Sequence, residues 1–192
     1  FGRQHQGHGT ANRLVLFEDN YLELIWIEDA NLANGDPMRF PERLTLSNGH
    51  VFGVGLRVQN GQTDFLTTWK RIELNGYDGG HLRVRPDSIE NLAMPIVFAL
   101  VQDHGSLPTP ANRGHPEALF SHPCGGTGIC SVELIGPDWG SLSREGLPDE
   151  VVFRNGPSSQ LRIELYIDKK ISDPASETIH LGRKASFSFV QN

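Results

Sequence analysis

The stretch "GRQHQGHGTANRLVLFEDNYLELIWIED", residues 2–29, decides the fold, because it contains two strand-like runs joined by a short polar turn. In the second run, "YLELIWI", strand alternation places Glu23 on one face, and the opposite face is wholly apolar, with Leu22, Leu24 and Trp26. We expect the apolar face to pack against a helix. Glu23 then faces a pocket, where an unpaired carboxylate is costly and needs a metal, a cation or a proton. The alternative is a solvated carboxylate on the wet face of an antiparallel sheet.

Alternating runs bounded by Gly, Pro, Asn and Asp predict further strands along the chain. The expected strands lie near 12–17, 21–27, 51–58, 81–85, 95–101, 128–135, 150–154, 161–167 and 185–190. A helical stripe with a capping residue predicts one dominant helix over about 62–75, and a weaker helix is predicted over 138–145. A Pro- and Gly-rich stretch at 107–128 predicts a long loop over the mouth of the pocket. These patterns together predict an α+β fold with mostly antiparallel sheets.

Composition narrows the classes of partner. The 192 residues suit a single domain spanning 1–192. The chain has 17 basic and 23 acidic residues, a net charge of -6, and no basic cluster, which argues against nucleic acid and anionic membrane. Its longest apolar run, Met94 to Val101, falls far short of the ~20 residues that span a bilayer. We therefore expect a small-molecule ligand and no membrane or nucleic-acid partner.

Two cysteines, Cys124 and Cys130, are separated by a Gly-rich segment and have no zinc-finger spacing. This spacing leaves a disulfide open without requiring one. Low cysteine usage favours a cytoplasmic, reduced protein. The sequence starts at Phe1 without a secretory leader, and we interpret it as part of a longer or processed chain.

Two motifs resemble a known family. The segment "GHGTANRLVLFEDNYLEL" is similar to glyoxalase-like proteins of the vicinal oxygen chelate superfamily, in which Gly-Thr-x-Asn precedes paired strands that end in Tyr-Leu-Glu-Leu. The segment "HPCGGTGICSVELIG", residues 122–136, resembles that group's His-Pro-Asn-Gly-Ala segment, with Cys124 in place of the Asn and Gly126 in place of the Ala. "GVGLRV" also fits, so the resemblance extends over most of the chain.

The resemblance implies βαβββ modules whose curved sheets form a cup, often around one divalent metal such as Zn, Fe, Mn or Ni. It also implies that the opening strand and helix would precede Phe1, so the first module is incomplete here. We expect upstream residues or a second copy, as in a homodimer, to complete the sheet beside strand 12–17. The positions where the family commonly has further ligands carry Gly53 and Gly128. A protein without a bound metal is therefore equally consistent with the sequence.

Six residues are the candidates for the site, and the resemblance adds weight to Glu23. Glu23 is the candidate catalytic acid or base and a candidate metal ligand, and Glu164 in "LRIELYI" is the second candidate ligand. The candidate substrate-binding residues are His8, His122, Tyr21 and Tyr166. For His122, a structural role in its loop is an equal alternative. We interpret Thr10 and Asn12 as turn-forming residues.

The sequence thus predicts a glyoxalase-like protein that acts on a small oxygenated metabolite. The chemistry implied by the resemblance is metal-assisted isomerase, lyase or dioxygenase chemistry. The alternative is a metal-free protein of the same fold that binds or sequesters a small molecule. A third hypothesis is an inactive module retained for oligomerisation. No hydrolase, nucleotide-binding or zincin motif occurs.

Overall fold

The computed structural model describes residues 2–46, 51–58, 64–73, 80–102, 116–123, 125–167 and 184–189. Within them the strands are β1 Gln4–His5, β2 Thr10–Leu16, β3 Tyr21–Ile27, β4 Gly53–Arg57, β5 Lys70–Glu73, β6 Gly80–Val84, β7 Ile96–Gln102, β8 Gly126–Gly136, β9 Val151–Asn155, β10 Gln160–Ile167 and β11 Lys184–Phe189. The α-helices are α1 Ala30–Ala33, α2 Phe40–Leu46 and α3 Pro86–Glu90, and the 3₁₀ helices are Asp64–Thr68, Glu117–Phe120 and Trp139–Ser141. No helix in these residues is long and apolar enough to cross a membrane.

Three sheets organise the described residues. The amino-terminal sheet has the order β1-β2-β3 and is antiparallel throughout. The middle sheet has the order β4-β7-β6-β5, with only β4 and β7 parallel. The carboxy-terminal sheet has the order β11-β10-β8-β9, with only β8 and β9 parallel. Short helices beside mostly antiparallel sheets confirm the predicted α+β class.

Apolar clusters join the sheets. The middle and carboxy-terminal sheets share a buried cluster of Val54, Leu66, Trp69, Val97, Ala99, Leu134, Trp139, Val151 and Phe153. The amino-terminal sheet contacts the carboxy-terminal sheet through Phe17, which packs with Ile163 and Leu165, and Leu22 covers that contact. The β2–β3 turn is also fixed by Asn20, whose side chain accepts from the Ile129 N–H at 3.0 Å and donates to the Ile129 carbonyl at 3.3 Å.

The predicted dominant helix over 62–75 is wrong. A single 3₁₀ helix covers Asp64–Thr68, and strand β5, Lys70–Glu73, follows it directly. The apolar residues of the predicted stripe are still buried, but Ile72 reaches the core from a strand that pairs with β6. The β-branched pair Thr67 and Thr68 lowers helix propensity at the point where the helix would have to continue. The second predicted helix, over 138–145, is reduced to Trp139–Ser141.

The apolar face of β3 also differs from the expectation. Leu22 is half-buried against the carboxy-terminal sheet, but Leu24 is 52% and Trp26 is 42% exposed. No helix of the described residues covers them. Strand β1 pairs with β2 only at Thr10 and Ala11, so most of the predicted strand 12–17 has no strand partner on that side among the described residues, and β3 forms the other edge of the sheet. The predicted completion by a second copy stays a prediction. Most of the predicted loop at 107–128 lies outside the described residues.

Candidate functional site

Four polar side chains meet on one face of the amino-terminal sheet, and we call His5, Thr10, Asn12 and Glu23 the carboxylate cluster. The strand register brings them together, because His5 pairs with Thr10 across β1 and β2, and Asn12 lies diagonally opposite Glu23 across β2 and β3. The Asn12 amide donates to Glu23 Oε1 at 2.5 Å. His5 Nδ1 lies 2.8 Å from Thr10 Oγ1, and His5 Nε2 lies 3.6 Å from Glu23 Oε1. The cluster therefore forms one connected network.

Asn12 fixes the proton positions in this network. The Arg3 backbone N–H donates to Asn12 Oδ1 at 2.9 Å, which sets the orientation of the amide. Both hydrogens of Asn12 Nδ2 are then directed to acceptors, namely Glu23 Oε1 and, at 3.0 Å, His5 Nε2. His5 Nε2 must accept, so the imidazole is neutral, with its proton on Nδ1 donated to Thr10.

Burial supports the neutral form of His5. It lowers the pKa of the His5 imidazole below its ordinary value of 6.5, and the Glu23 carboxylate opposes this effect by raising the pKa. The positive charge of Arg3 lowers the pKa further. The Glu23 side chain is 21% exposed, so the carboxylate is neither fully buried nor a surface group. Its second oxygen, Oε2, makes no hydrogen bond to another described residue. This oxygen is the cluster's open acceptor.

His8 lies beside the carboxylate cluster and contacts a different carboxylate. His8 Nδ1 is 2.5 Å from Asp36 Oδ2, and both residues are buried. Asp36 Oδ1 accepts the Met38 backbone N–H at 2.7 Å. The local chain geometry favours this contact, because Gly9 has a φ of +66° and packs against the backbone of Asp29 and of Ala33, at the end of α1. His8, which was predicted to bind substrate, is therefore a buried side chain that is hydrogen-bonded to Asp36.

Glu164 lies apart from the carboxylate cluster. Ser131 Oγ donates to Glu164 Oε2 at 2.8 Å, and Cys130 Sγ lies 3.8 Å from the same oxygen. The neighbours of Glu164 on β10 pack toward Leu22, the neighbour of Glu23 on β3. Because alternate residues of a strand point to opposite faces, both carboxylates point away from this shared cluster. The structure therefore does not bring Glu23 and Glu164 together.

The remaining candidates occupy separate places. Tyr21 shares the face of Glu23 at the start of β3 and is 41% exposed. Tyr166, on β10, is 53% exposed and lies beside Gly128. His122 Nε2 lies 2.7 Å from the Leu16 carbonyl oxygen, and its ring stands 4.8 Å from the Phe17 ring. These contacts support the alternative of a structural role for His122, which ties its loop to the end of β2.

A divalent metal does not fit the cluster as it is built. The 3.6 Å between His5 Nε2 and Glu23 Oε1 would suit two ligands of one ion, which bind at about 2.0–2.2 Å. The Asn12 amide nitrogen, however, lies within 3.0 Å of both atoms, and its hydrogen bond to His5 Nε2 uses the single lone pair with which that nitrogen could bind a metal. Among the described residues no group of three His, Cys, Asp or Glu side chains could hold a metal. Glu23 and Glu164, which were predicted as a pair of metal ligands, point away from the apolar cluster between their strands and do not face a common site.

Sequence reasoning missed the residues that organise the cluster. Thr10 and Asn12 are strand residues, not turn residues, and Asn12 is 5% exposed. Asp36 was not a candidate, because 28 positions separate it from His8. The available signal was the phase of "TANRLVL", in which Thr10 and Asn12 alternate in step with Leu14 and therefore share a face with Glu23.

Comparison with known proteins places the chain in a family. A family model described as a glyoxalase-like domain matches residues 2–146, which is more than half of the chain. The match includes both motifs of the resemblance and the whole carboxylate cluster. No curated protein and no solved structure matches the chain. The chain belongs to the glyoxalase-like domain family.

Proposed function

We propose that the chain binds a small oxygenated metabolite on the Glu23 face of the amino-terminal sheet, with Glu23 as the acceptor for a ligand hydroxyl group or proton. The observation that carries the proposal is the carboxylate held at one oxygen by Asn12, with its other oxygen open. A carboxylate whose position is fixed in advance loses little freedom when a ligand binds. Tyr21 and Ile25 lie on the same face and offer apolar surface beside it.

The same geometry supports proton transfer. Glu23 can remove a proton from the hydroxyl-bearing carbon next to a ligand carbonyl and deliver it to the carbonyl carbon, while the hydroxyl proton moves to the carbonyl oxygen, so that atoms and charge balance. Glu23 carries the proton on Oε2, because Oε1 and His5 Nε2 both accept from the Asn12 amide. Asn12 keeps the carboxylate in place through the step. This arrangement supports isomerase chemistry on a hydroxycarbonyl compound as part of the proposal.

Two further functions remain for the experiment to decide. The first is metal-free sequestration, in which the ligand binds at Glu23 and no proton moves. The second is the metal-assisted chemistry that the family resemblance implies. This second function requires displacement of the Asn12 amide from between His5 Nε2 and Glu23 Oε1, and a third donor.

Binding tests the proposal first. Ligand-detected NMR with a set of small hydroxy acids, aldehydes, ketoses and polyols should find compounds that bind the wild-type chain. Glu23→Gln keeps the shape and removes the charge, and we expect it to weaken binding about tenfold to a hundredfold, since a hydrogen bond to a charged group contributes roughly 1.5–3 kcal/mol. Glu18→Gln is the matched control, because Glu18 is an exposed acid in the neighbouring turn. Equal binding by wild type and Glu23→Gln, or no binding by any compound, would contradict the proposal.

Deuterium exchange separates catalysis from sequestration. Dihydroxyacetone has exchangeable C–H bonds next to its carbonyl, and in D₂O a general base at Glu23 should introduce deuterium there. Exchange that disappears in Glu23→Gln and persists in Glu18→Gln supports the isomerase-type step. Binding without exchange identifies the sequestering protein. Exchange that requires added Zn²⁺ or Mn²⁺ identifies the metal-assisted function and contradicts the metal-free step.

A further inference from the structure

His8 and Asp36 form a buried pair with a defined orientation. Asp36 accepts at both oxygens, from the Met38 N–H and from His8 Nδ1. Nδ1 therefore carries the proton of this contact, and Asp36 fixes the plane of the imidazole ring. Only 5% of Asp36 and 9% of His8 are exposed. The pair has the arrangement in which a carboxylate orients an imidazole and leaves the far nitrogen, Nε2, for another group.

That far nitrogen has no partner. His8 Nε2 is buried and makes no hydrogen bond to any described residue. A buried polar atom without a partner costs about 1–3 kcal/mol, and such atoms are rare in folded proteins. The described residues supply no partner for this nitrogen, so it is available to a donor or acceptor that is not among them.

The nitrogen lies in the neighbourhood of the proposed ligand site. The His8 backbone N–H donates to the His5 carbonyl at 3.1 Å, so one turn holds both imidazoles. His5 in turn lies 3.6 Å from Glu23. The turn that carries the unpartnered nitrogen therefore also carries the imidazole next to Glu23.

We propose that His8 Nε2 is a second ligand contact, which takes a hydroxyl group of the same small molecule that binds Glu23, and that Asp36 is the positioning residue for His8. This inference rests on the proposed function. A hydroxyl group can donate or accept, so it satisfies Nε2 in either protonation state of the ring. Glu23 Oε2 accepts only and requires a hydroxyl donor. The two contacts together select a small compound with two hydroxyl groups, and dihydroxyacetone is the probe.

NMR of the histidine side chains tests the inference on the full chain. Long-range ¹H–¹⁵N spectra resolve Nδ1 and Nε2 of each imidazole. On titration with dihydroxyacetone, we expect the His8 Nε2 resonance to move with the same midpoint as ligand binding, while Nδ1, held by Asp36, moves little. An unchanged Nε2 resonance at saturating ligand would overturn the inference, and an internal water would then be the partner.

Two substitutions separate the roles of the ring nitrogens. His8→Asn places an amide nitrogen near the position of Nδ1, so it can still donate to Asp36, and it has no group at the position of Nε2. We expect the fold to persist and dihydroxyacetone binding to weaken about tenfold. His8→Gln places its amide nearer the position of Nε2 and should retain more of the binding. If His8→Asn does not fold, the wild-type titration above decides the question alone.

The outcomes also separate this inference from the proposed function. Binding that Glu23→Gln abolishes and His8→Asn leaves intact would refute the His8 contact and keep the Glu23 site. Binding unaffected by Glu23→Gln would refute the proposed function. A wild-type chain that binds other oxygenated compounds through Glu23, but not dihydroxyacetone, would refute the two-hydroxyl ligand class. Binding lost in both Glu23→Gln and His8→Asn supports both.

Discussion

Replacing Asn12 with aspartate should destabilise the carboxylate cluster through charge repulsion. The substitution keeps the shape of the side chain but places a second carboxylate where the amide now donates to Glu23 Oε1 at 2.5 Å. Two full charges at that separation repel by about 6–7 kcal/mol at an effective dielectric constant of about 20. Uptake of one proton relieves the repulsion. Protonating an ordinary carboxylate, with a pKa near 4, costs about 4 kcal/mol at pH 7, because the pH is about three units above the pKa and each unit is worth about 1.4 kcal/mol. The loss of folding free energy at pH 7 cannot exceed this cost.

Solvent screening reduces this figure, since the Glu23 side chain is 21% exposed. We therefore expect Asn12→Asp to lower the free energy of unfolding by about 2–3 kcal/mol at pH 7 in EDTA, with most of the loss recovered at pH 5. The substitution also supplies the third donor beside His5 and Glu23 that a zinc site needs. Added Zn²⁺ should restore about 2.7 kcal/mol at a hundred times its dissociation constant.

Urea unfolding of three chains measures these effects. Asn91→Asp is the matched control, because Asn91 is exposed and its side-chain oxygen already acts as an acceptor, for the Ala93 N–H. It should respond little to pH and not to Zn²⁺. If Asn12→Asp is as stable as wild type at pH 7 in EDTA, or shows no response to Zn²⁺, the contacts among Asn12, His5 and Glu23 derived above do not exist in solution.

Three further predictions concern the frame of the site. Burial lowers the pKa of His5, so the folded chain binds this proton less well than the unfolded chain; stability should fall as the pH drops below about 6.5, and His5→Gln should flatten that slope in urea titrations from pH 7.5 to 5. Arg43 is buried, has its pKa lowered to about 10 by burial, and donates to the carbonyls of Met38, Ser88, Leu92 and Met94. Arg43→Met should cost about 3–5 kcal/mol, against little for Arg39→Met on the exposed face, by thermal or urea unfolding. Gly9→Ala should cost more than about 2 kcal/mol, because its Cβ would lie 2.3 Å from the Asp29 carbonyl at a φ of +66°, whereas Gly35→Ala, with a nearest contact of 3.6 Å, should be tolerated. If Arg43→Met or Gly9→Ala leaves the free energy of unfolding unchanged, the contacts of Arg43 and Gly9 given above are wrong.

The strands were predictable because alternation and turn residues are local signals. All nine predicted strands have a counterpart in the structure, and β3 and its phase agree fully, so the face of Glu23 could be derived from "YLELIWI" alone. The two missed strands lacked such a signal. β1 has only two residues, and β5 follows a short 3₁₀ helix. The spacing of Leu66, Trp69 and Ile72, which runs from that helix into β5, imitates an amphipathic helix. Pairing with β6, a non-local contact, decides the conformation there.

The site was predictable only in part, for the same reason. Alternation indicated which face carries Glu23, but the Asn12 bridge requires the register between β2 and β3, and the His5 contact requires the turn at residues 6–9. The joining of His8 to Asp36 depends on how α1 folds against that turn. The separation of Glu164 from Glu23 depends on which faces of two sheets meet, which no single strand reveals.

A chemical-shift footprint shows whether a small oxygenated ligand binds the face of the amino-terminal sheet that carries Glu23. The ligand identified by screening, or dihydroxyacetone, is titrated into a chain with labelled side chains. We expect the side-chain signals of Tyr21, Glu23 and Ile25 to shift together with one midpoint, while those of Leu24 and Trp26, on the opposite face of the same strand, stay in place. Shifts confined to Leu24 and Trp26, or to Glu164 and Tyr166 on the other sheet, would contradict it.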